Sequence, residues 1–212
     1  MTNYGATTTT DEILQGQILT GRHFMVTGAS SGLGEETSRA LSSVGATVTM
    51  VSRNKEKLEA ARERIKETIP SADLHIGIVD LSDLASIRAY ASDFLATQKQ
   101  IDVLINNAGI MACPFSKTKD GFEMQFGTNH VGHFLLTNLL MPAILDGDKP
   151  RIINLSSAGH THSDVDLEDP NFDTSEYNAW ESYGRSKSAN IHFTQELVRR
   201  YGNKLQSFAV HP

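Results

Sequence analysis

The sequence predicts a doubly wound α/β domain, a parallel sheet with helices on both faces. Two observations carry this. From residue 22 onward, short apolar or β-branched runs alternate with stretches of helical periodicity, joined by short links. The first of these runs leads directly into a glycine-rich turn, "TGASSGLG" (27–34), which opens the next helix.

Taken in order, residues 1–20 predict a peripheral segment. "TTTT" (7–10) has little to pack and frays, and "DEILQGQIL" suits a short turn against the body. The domain proper covers 21–212. "RHFMVTG" (22–28) is an apolar run ending in glycine, hence a buried strand. "GLGEETSRALSSVG" (32–45) places Leu33, Thr37, Ala40, Leu41 and Val44 at helical spacing, with a glycine stop. "ATVTMVS" (46–52) is β-branched and reads as a strand. "NKEKLEAARERIKETIP" (54–70) has an Asn cap, strong helix formers and a proline stop. A strand follows at 73–81, then a helix at 82–98 with Ser82 as its cap. "IDVLINNAG" (101–109) is a strand running into a loop. A long helix is expected over 120–145, with Pro142 kinking it or ending its regular part. The strand 151–157, the helix 180–202 ending at Gly202, and a strand from 205 complete the series. No repeat of fixed period appears. The one long irregular segment, 158–179, is polar and acidic. Segments of that length in a compact domain are functional or mobile.

Bulk properties narrow the function. With 212 residues and 39% hydrophobic content, one sizeable core and one domain are expected. A net charge of −6 argues against a nucleic-acid partner, which needs a basic surface. No apolar run is long enough to cross a bilayer, and the N-terminus lacks the features of a secretory signal. Cys113 is the single cysteine, so no internal disulfide forms, and a cytoplasmic setting fits.

The glycine-rich turn points to a phosphate-bearing ligand. Gly28 permits the tight turn, Gly32 lets backbone approach a pyrophosphate, and Gly34 lets the helix pack closely on the strand. The helix N-terminus then offers unpaired N–H groups to the phosphates. A bare glycine-rich turn is the competing explanation, and the strand-before, helix-after context disfavours it.

The spacing Gly-x-x-x-Gly-x-Gly, with "DL" (80–81), "NNAG" (106–109) and "YGRSK" (183–187) in that order, resembles the short-chain dehydrogenase/reductase family. The resemblance covers about residues 21–212. "NNAGIMACPFSKTKDGFEMQFGTNHVGHFLLTNLL" is most similar to its retinol dehydrogenase and WW-domain oxidoreductase branch. This implies a Rossmann-type fold with a nicotinamide dinucleotide held by Gly28, Ser30, Ser31, Gly32, Leu33 and Gly34. Asp80, beside Leu81, would meet the adenine amino group, and Asn107, Ala108 and Gly109 would line the adenosine ribose.

The end of the second strand bears on which dinucleotide. Ser52 and Arg53 stand where NAD-preferring proteins carry an acidic residue on the ribose hydroxyls. Arginine forks onto a 2′-phosphate instead. NADP(H) is therefore expected, with NAD(H) compatible; the bland alternative is that Arg53 only begins the next helix.

Tyr183 and Lys187 stand four apart and share a helix face. A phenol ordinarily ionises near pH 10, and a neighbouring ammonium favours the phenolate. Such a pair can exchange a proton with a carbonyl or alcohol oxygen while hydride moves to or from a nicotinamide. The spacing alone occurs by chance in many helices; the glycine turn and "NLSS" give it weight. The resemblance assigns Ser157 to hold the substrate oxygen, with Ser156 disfavoured because adjacent strand residues face opposite ways. It also gives Asn129 a water linking Lys187 to solvent, and Lys187 the nicotinamide ribose, beside Tyr183. His130 with His133, and His160 with His162, form no convincing metal set, and no metal is expected.

Two departures from the family pattern stand out. Ser157 and Tyr183 are 26 positions apart, a separation the 158–179 segment accounts for and which the retinol dehydrogenase-like branch shares. That segment is expected to shape the substrate mouth, loose without ligand and ordered with it. The resemblance also implies more chain beyond Pro212, because six strand candidates are present and a seventh is not, so the catalytic domain reads as incomplete at its C-terminus.

The expected function is NADP(H)-dependent hydride transfer on a small carbonyl or alcohol, apolar and retinoid- or steroid-like by resemblance. A homo-oligomer is compatible with it. Two other readings stay open: a non-catalytic NADP(H)-binding sensor or scaffold, and a sugar-nucleotide epimerase or dehydratase.

Overall fold

A computed structural model describes residues 4–97 and 99–212. Six strands form one parallel sheet: β1 (His23–Thr27), β2 (Thr47–Ser52), β3 (Asp73–Ile78), β4 (Val103–Asn106), β5 (Arg151–Leu155) and β6 (Gln206–Val210). Their order is β3-β2-β1-β4-β5-β6. β1 pairs with β2 from His23↔Thr47 to Thr27↔Val51, and with β4 from Phe24↔Val103 to Val26↔Ile105. The strand order therefore reverses at β1, with β2–β3 built out on one side and β4–β6 on the other. The crevice beyond the carboxyl ends of β1 and β4 is where such sheets take ligands.

The helices are α1 (Thr10–Leu14), α2 (Gly32–Ser43), α3 (Lys55–Thr68), α4 (Leu84–Ala96), α5 (Met124–Phe126), α6 (Gly132–Leu145) and α7 (Ala179–Tyr201). Strand alternation sorts their packing. Phe24 and Val26 of β1, with Val48 and Met50 of β2, face Leu58, Ala61 and Ile65 of α3. Met25, Leu104 and Ile152 point the other way, toward Ile87 and Ala91 of α4, Leu136 and Leu140 of α6, and Phe193 and Leu197 of α7. At about 25 cal/mol per Å² of apolar surface buried, these two cores supply the main drive to fold. α1 lies on α2 through Arg39, which bonds Asp11 and Glu36.

Some boundaries differ from the sequence expectation. Asp83, not Ser82, caps α4: its Oδ1 accepts the N–H groups of Ala85 and Ser86. The Ser82 hydroxyl is drawn instead to Asp80, 2.6 Å away. The expected end of that helix at Gln98 lies outside the described residues. The long helix starts at Met124 rather than 120, because Thr118 N–H bonds Phe122 O and a bridge joins Lys117 to Glu123, folding 117–123 into a turn. A π turn at Gly127–Val131 separates α5 from α6. Pro142 falls in the last turn of α6, which stays helical to Leu145; the Asn138 carbonyl one turn back goes without its helical N–H partner.

The 158–179 segment is tied down more firmly than its composition suggested. Asp169 and Phe172 are buried. Asp169 accepts N–H bonds from Asp173, Thr174 and Ser175. Burial opposes its charge, and the bonds from Ser175, Asp173 and Thr174 overcome that, holding its carboxyl well below the usual range. The Arg185 guanidinium donates to Asp169 O at 2.7 Å and stacks 4.0 Å over the Phe172 ring. The Tyr177 hydroxyl donates to Cys113 O.

Candidate active site

The crevice at the β1/β4 reversal is a cleft of about 420 Å³. Gly28, Ser30, Ser31, Leu33, Gly34, Arg53, Asp80, Leu81, Asn107, Ala108 and Gly109 line it. Of the residues predicted for the dinucleotide alone, only Gly32 lies off that lining. The turn needs its glycines: Gly28 has φ +68°, and a Cβ there would sit 2.8 Å from Ala108 Cα.

The α2 N-terminus fits a phosphate. Its cap residue Ser31 makes no side-chain bond to the helix, whereas Asn54 caps α3 and Asp83 caps α4. The first N–H groups of α2 are thus left without a side-chain acceptor at the cleft, a fit for a pyrophosphate. Arg53 is exposed at the rim, and no carboxylate among the described residues pairs with it. Asp80 Oδ1 is engaged by the Ser82 N–H at 2.9 Å and by the Ser82 hydroxyl.

Next to it, sharing Leu33, Asn107, Gly109 and Ile110, is a smaller cleft lined by Tyr183, Lys187, Met111, Leu155 and Ser156. The structure thus brings the predicted tyrosine and lysine to the inner end of the dinucleotide cleft. Lys187 is 4% exposed. Its Nζ lies 5.5 Å above the Tyr183 ring centre and donates to Leu155 O at 3.0 Å. Burial pushes the ammonium pKa down to about 8.

Asn129 sits in the π turn, fully buried. Its Oδ1 accepts the Ile110 N–H (2.9 Å), and its Nδ2 donates to Ile110 O (2.9 Å) and Ser186 Oγ (3.0 Å). The side chain thereby splints the 107–110 loop to α7. Ser156 Oγ donates to Lys187 O, and Ser157 Oγ accepts the Gly159 N–H at 3.1 Å. Of the two serines it is Ser156 that reaches the cleft lining; Ser157 is half-buried at the start of a 3-10 turn, Ala158–His162. That turn lies against the tyrosine: a Cβ on Gly159 would come within 2.7 Å of the Tyr183 ring.

Several participants escaped the sequence reading. Thr27 Oγ1 accepts the N–H groups of Asn107 and Ala108. Ser186 links Asn129 to Tyr183 O, to which its hydroxyl donates at 2.8 Å. Gly159 and Gly184 let the 3-10 turn press on α7. Thr27 adjoins the glycine turn in sequence and was within reach; Ser186 and Gly159 have no local signature. Among the described residues no group of three or more His, Cys, Asp or Glu side chains is placed to hold a metal ion.

A doubly wound sheet, an uncapped glycine turn at its reversal point and a half-buried tyrosine beside a buried lysine define a nucleotide-binding dehydrogenase class. The chain belongs to the short-chain dehydrogenase family, whose model matches residues 22–168. It is similar to human retinol dehydrogenase 11, 46% identical over 92% of this chain and 61% of that protein. Human retinol dehydrogenase 13 is 42% identical over 91% of this chain and 58% of its own length. The chain thus spans about three fifths of the curated relatives it matches. A crystal structure of an uncharacterized protein from Mycobacterium paratuberculosis superposes with TM-score 0.83 and 43% identity, covering 92% of this chain and 69% of that one. A short chain dehydrogenase from Escherichia coli CFT073, complexed with NADPH, gives TM-score 0.74 at 26% identity, with 92% and 78% covered.

Proposed function

We propose that the protein is an NADP(H)-dependent oxidoreductase acting on a carbonyl or alcohol. The observation that carries this is Lys187 Nζ above the Tyr183 ring in a small cleft that adjoins the larger one whose rim carries the exposed Arg53. When bound, the dinucleotide supplies the hydride acceptor or donor. Ser30, Ser31 and the α2 N-terminus would hold its phosphates, Arg53 a 2′-phosphate, and Lys187 the nicotinamide ribose.

The chain's own residues handle the proton. Tyr183 passes a proton to the carbonyl oxygen in reduction and takes it back in oxidation. Lys187 holds a positive charge near the ring that favours the phenolate left behind. Ser157, whose 3-10 turn packs on the tyrosine through Gly159, would orient the substrate oxygen; Asn129 keeps Ile110 and Ser186 in place and would support a water leading from Lys187 to solvent. Exposed Met111 and Trp180 favour an apolar substrate. The kinship with retinol dehydrogenases supports the retinoid-like class.

The test is NADPH oxidation with a panel of aldehydes from short aliphatic to polyene, beside NADH. Turnover by wild type that Tyr183→Phe loses supports the proposal. Tight NADPH binding without turnover on any aldehyde or alcohol would favour a sensor.

A further inference from the structure

His133 has no part in the chemistry just described, yet it is 1% exposed and bonded at both ring nitrogens. Nδ1 lies 2.8 Å from Asn129 O. A carbonyl only accepts, so Nδ1 carries the proton. Nε2 lies 2.8 Å from Thr27 Oγ1. Burial above all pushes the ring's pKa down to about 4, with Lys187 and His130 adding to the effect. The ring is therefore neutral near pH 7, Nε2 is an acceptor, and the Thr27 hydroxyl donates to it.

That direction decides what Thr27 offers its other neighbours. With its proton on His133, its lone pairs face the N–H groups of Asn107 (2.9 Å) and Ala108 (3.0 Å). Among the described residues the other acceptor within reach of this hydroxyl is Ile105 O, at 3.4 Å. Turning toward Ile105 would swing the lone pairs away from those N–H groups. At its far end the imidazole holds the carbonyl of Asn129, whose side chain grips Ile110 and Ser186.

We propose that His133 is a positioning residue: it orients the Thr27 hydroxyl, and through it fixes the Asn107–Ala108 backbone that floors the dinucleotide cleft, in register with the Asn129 turn. Its consequence for cofactor binding rests on the function proposed above; the hydrogen-bond role does not.

Amide hydrogen exchange on the ligand-free protein, and NADPH titration by fluorescence, separate the two. In His133→Asn the shorter amide can still donate to Asn129 O, as Asn138 Nδ2 does to Phe134 O at 2.7 Å on the same helix, but it ends short of Thr27. Exchange at Ala108 should then quicken roughly three- to tenfold, the worth of one hydrogen bond, and by less at Asn107, whose N–H also bonds Ile105 O at 3.0 Å. The NADPH Kd should rise by a similar factor. Thr27→Val should reproduce both effects, and the double variant should add nothing to Thr27→Val. His133→Gln, long enough to return an acceptor to Thr27, should recover part of the protection.

Unchanged exchange at 107–108 in His133→Asn, with Thr27→Val quickened, would overturn the proposal. So would uniform quickening across all six strands with a lower Tm, which marks a packing residue. Quickened exchange with an unchanged NADPH Kd would refute its role in the cofactor site. A wild type that binds no NADPH but shows the exchange pattern would refute the proposed function and leave the hydrogen-bond role standing.

Discussion

Lys187 carries an ammonium into a nearly closed wall, with Leu155 O as its hydrogen-bond partner. Its folded pKa, about 8, lies below the ordinary lysine value of about 10.4. Between those values the unfolded chain binds more protons than the native one, so stability rises with pH through that window. The cost of the buried charge is full below about pH 8 and gone above about 10.4. Lys187→Met removes that cost, and Leu155 O keeps the Asn190 amide, 3.1 Å away. The variant should therefore exceed wild type in stability at pH 7 by about 1–3 kcal/mol, and most of the gap should be gone by about pH 10. Urea denaturation at both pH values measures this; a gap that does not narrow would show that the charge is not what costs stability. Turnover should fall at the same time. Tyr183→Phe should behave differently. The ring and its packing against Trp180 and Gly159 remain, so NADPH should bind as before. The transferable proton is gone, so kcat should drop about 10²–10⁴-fold. Near-normal turnover in that variant would remove the phenol from the mechanism.

The strap from 166 to 177 and helix α7 are held as a pair. Arg185 stands two residues from both Tyr183 and Lys187 yet faces away, stacked on Phe172 and bonded to Asp169 O and Glu181. Tyr177 carries the connection on to Cys113 and Gln125, and Gln125 accepts the Ala112 N–H. The strap thus braces the 110–115 loop that borders the Tyr183–Lys187 cleft. Arg185→Met keeps the volume but loses the fork and the stacked charge. It should speed hydrogen exchange through 169–177 and leave the β1, β2 and β4 amides as they were. If strap exchange stays at the wild-type rate, the Asp169 bonds hold it without the arginine. The expectation of a loose segment ordering on substrate would then rest on residues such as Leu167, 83% exposed, rather than on the strap as a whole.

Over the whole molecule, the dinucleotide would touch the ends of β1, β2, β3 and β4 at once, since the cleft is lined from each of them or the loops that follow. A ligand bridging that many elements stabilises the native state by mass action. At a hundred times Kd the gain is about 2.7 kcal/mol, a rise in Tm of roughly 5–10 °C for a chain of this size. NADPH should produce it, and NADH should produce less at equal concentration. Arg53→Ala should weaken NADPH by roughly 10- to 100-fold, the worth of a charge-assisted bond, and leave NADH nearly unchanged. Equal losses for both would mean that Arg53 does not meet a 2′-phosphate.

The alternation of strands and helices was legible because it follows from side-chain periodicity. Met25 and Val26 face opposite cores for the same local reason that any strand alternates. The glycine turn at the sheet's reversal point was legible because its parts are contiguous, and the closeness of Tyr183 and Lys187 because a helix makes neighbours of residues four apart. Local competition between adjacent groups was harder to read. Asp83 displaced Ser82 as a cap, and Glu123 with Thr118 delayed a helix, because the outcome turned on where one side chain points. The rest belongs to contacts across the chain. Thr27 meets His133 over a hundred positions away, Asn129 meets Ser186, and a glycine at 159 is required by a tyrosine at 183. None of these pairings has a spacing, so no pattern in the sequence announces them. Whether His133 is charged, where the Thr27 proton goes and how far the Lys187 pKa falls depend on burial and on partners that only the folded chain brings within hydrogen-bond distance. The sequence by itself determined the order of the elements and the residues that can do chemistry. The tertiary structure decided their surroundings, because desolvation and hydrogen bonding are properties of neighbours in space.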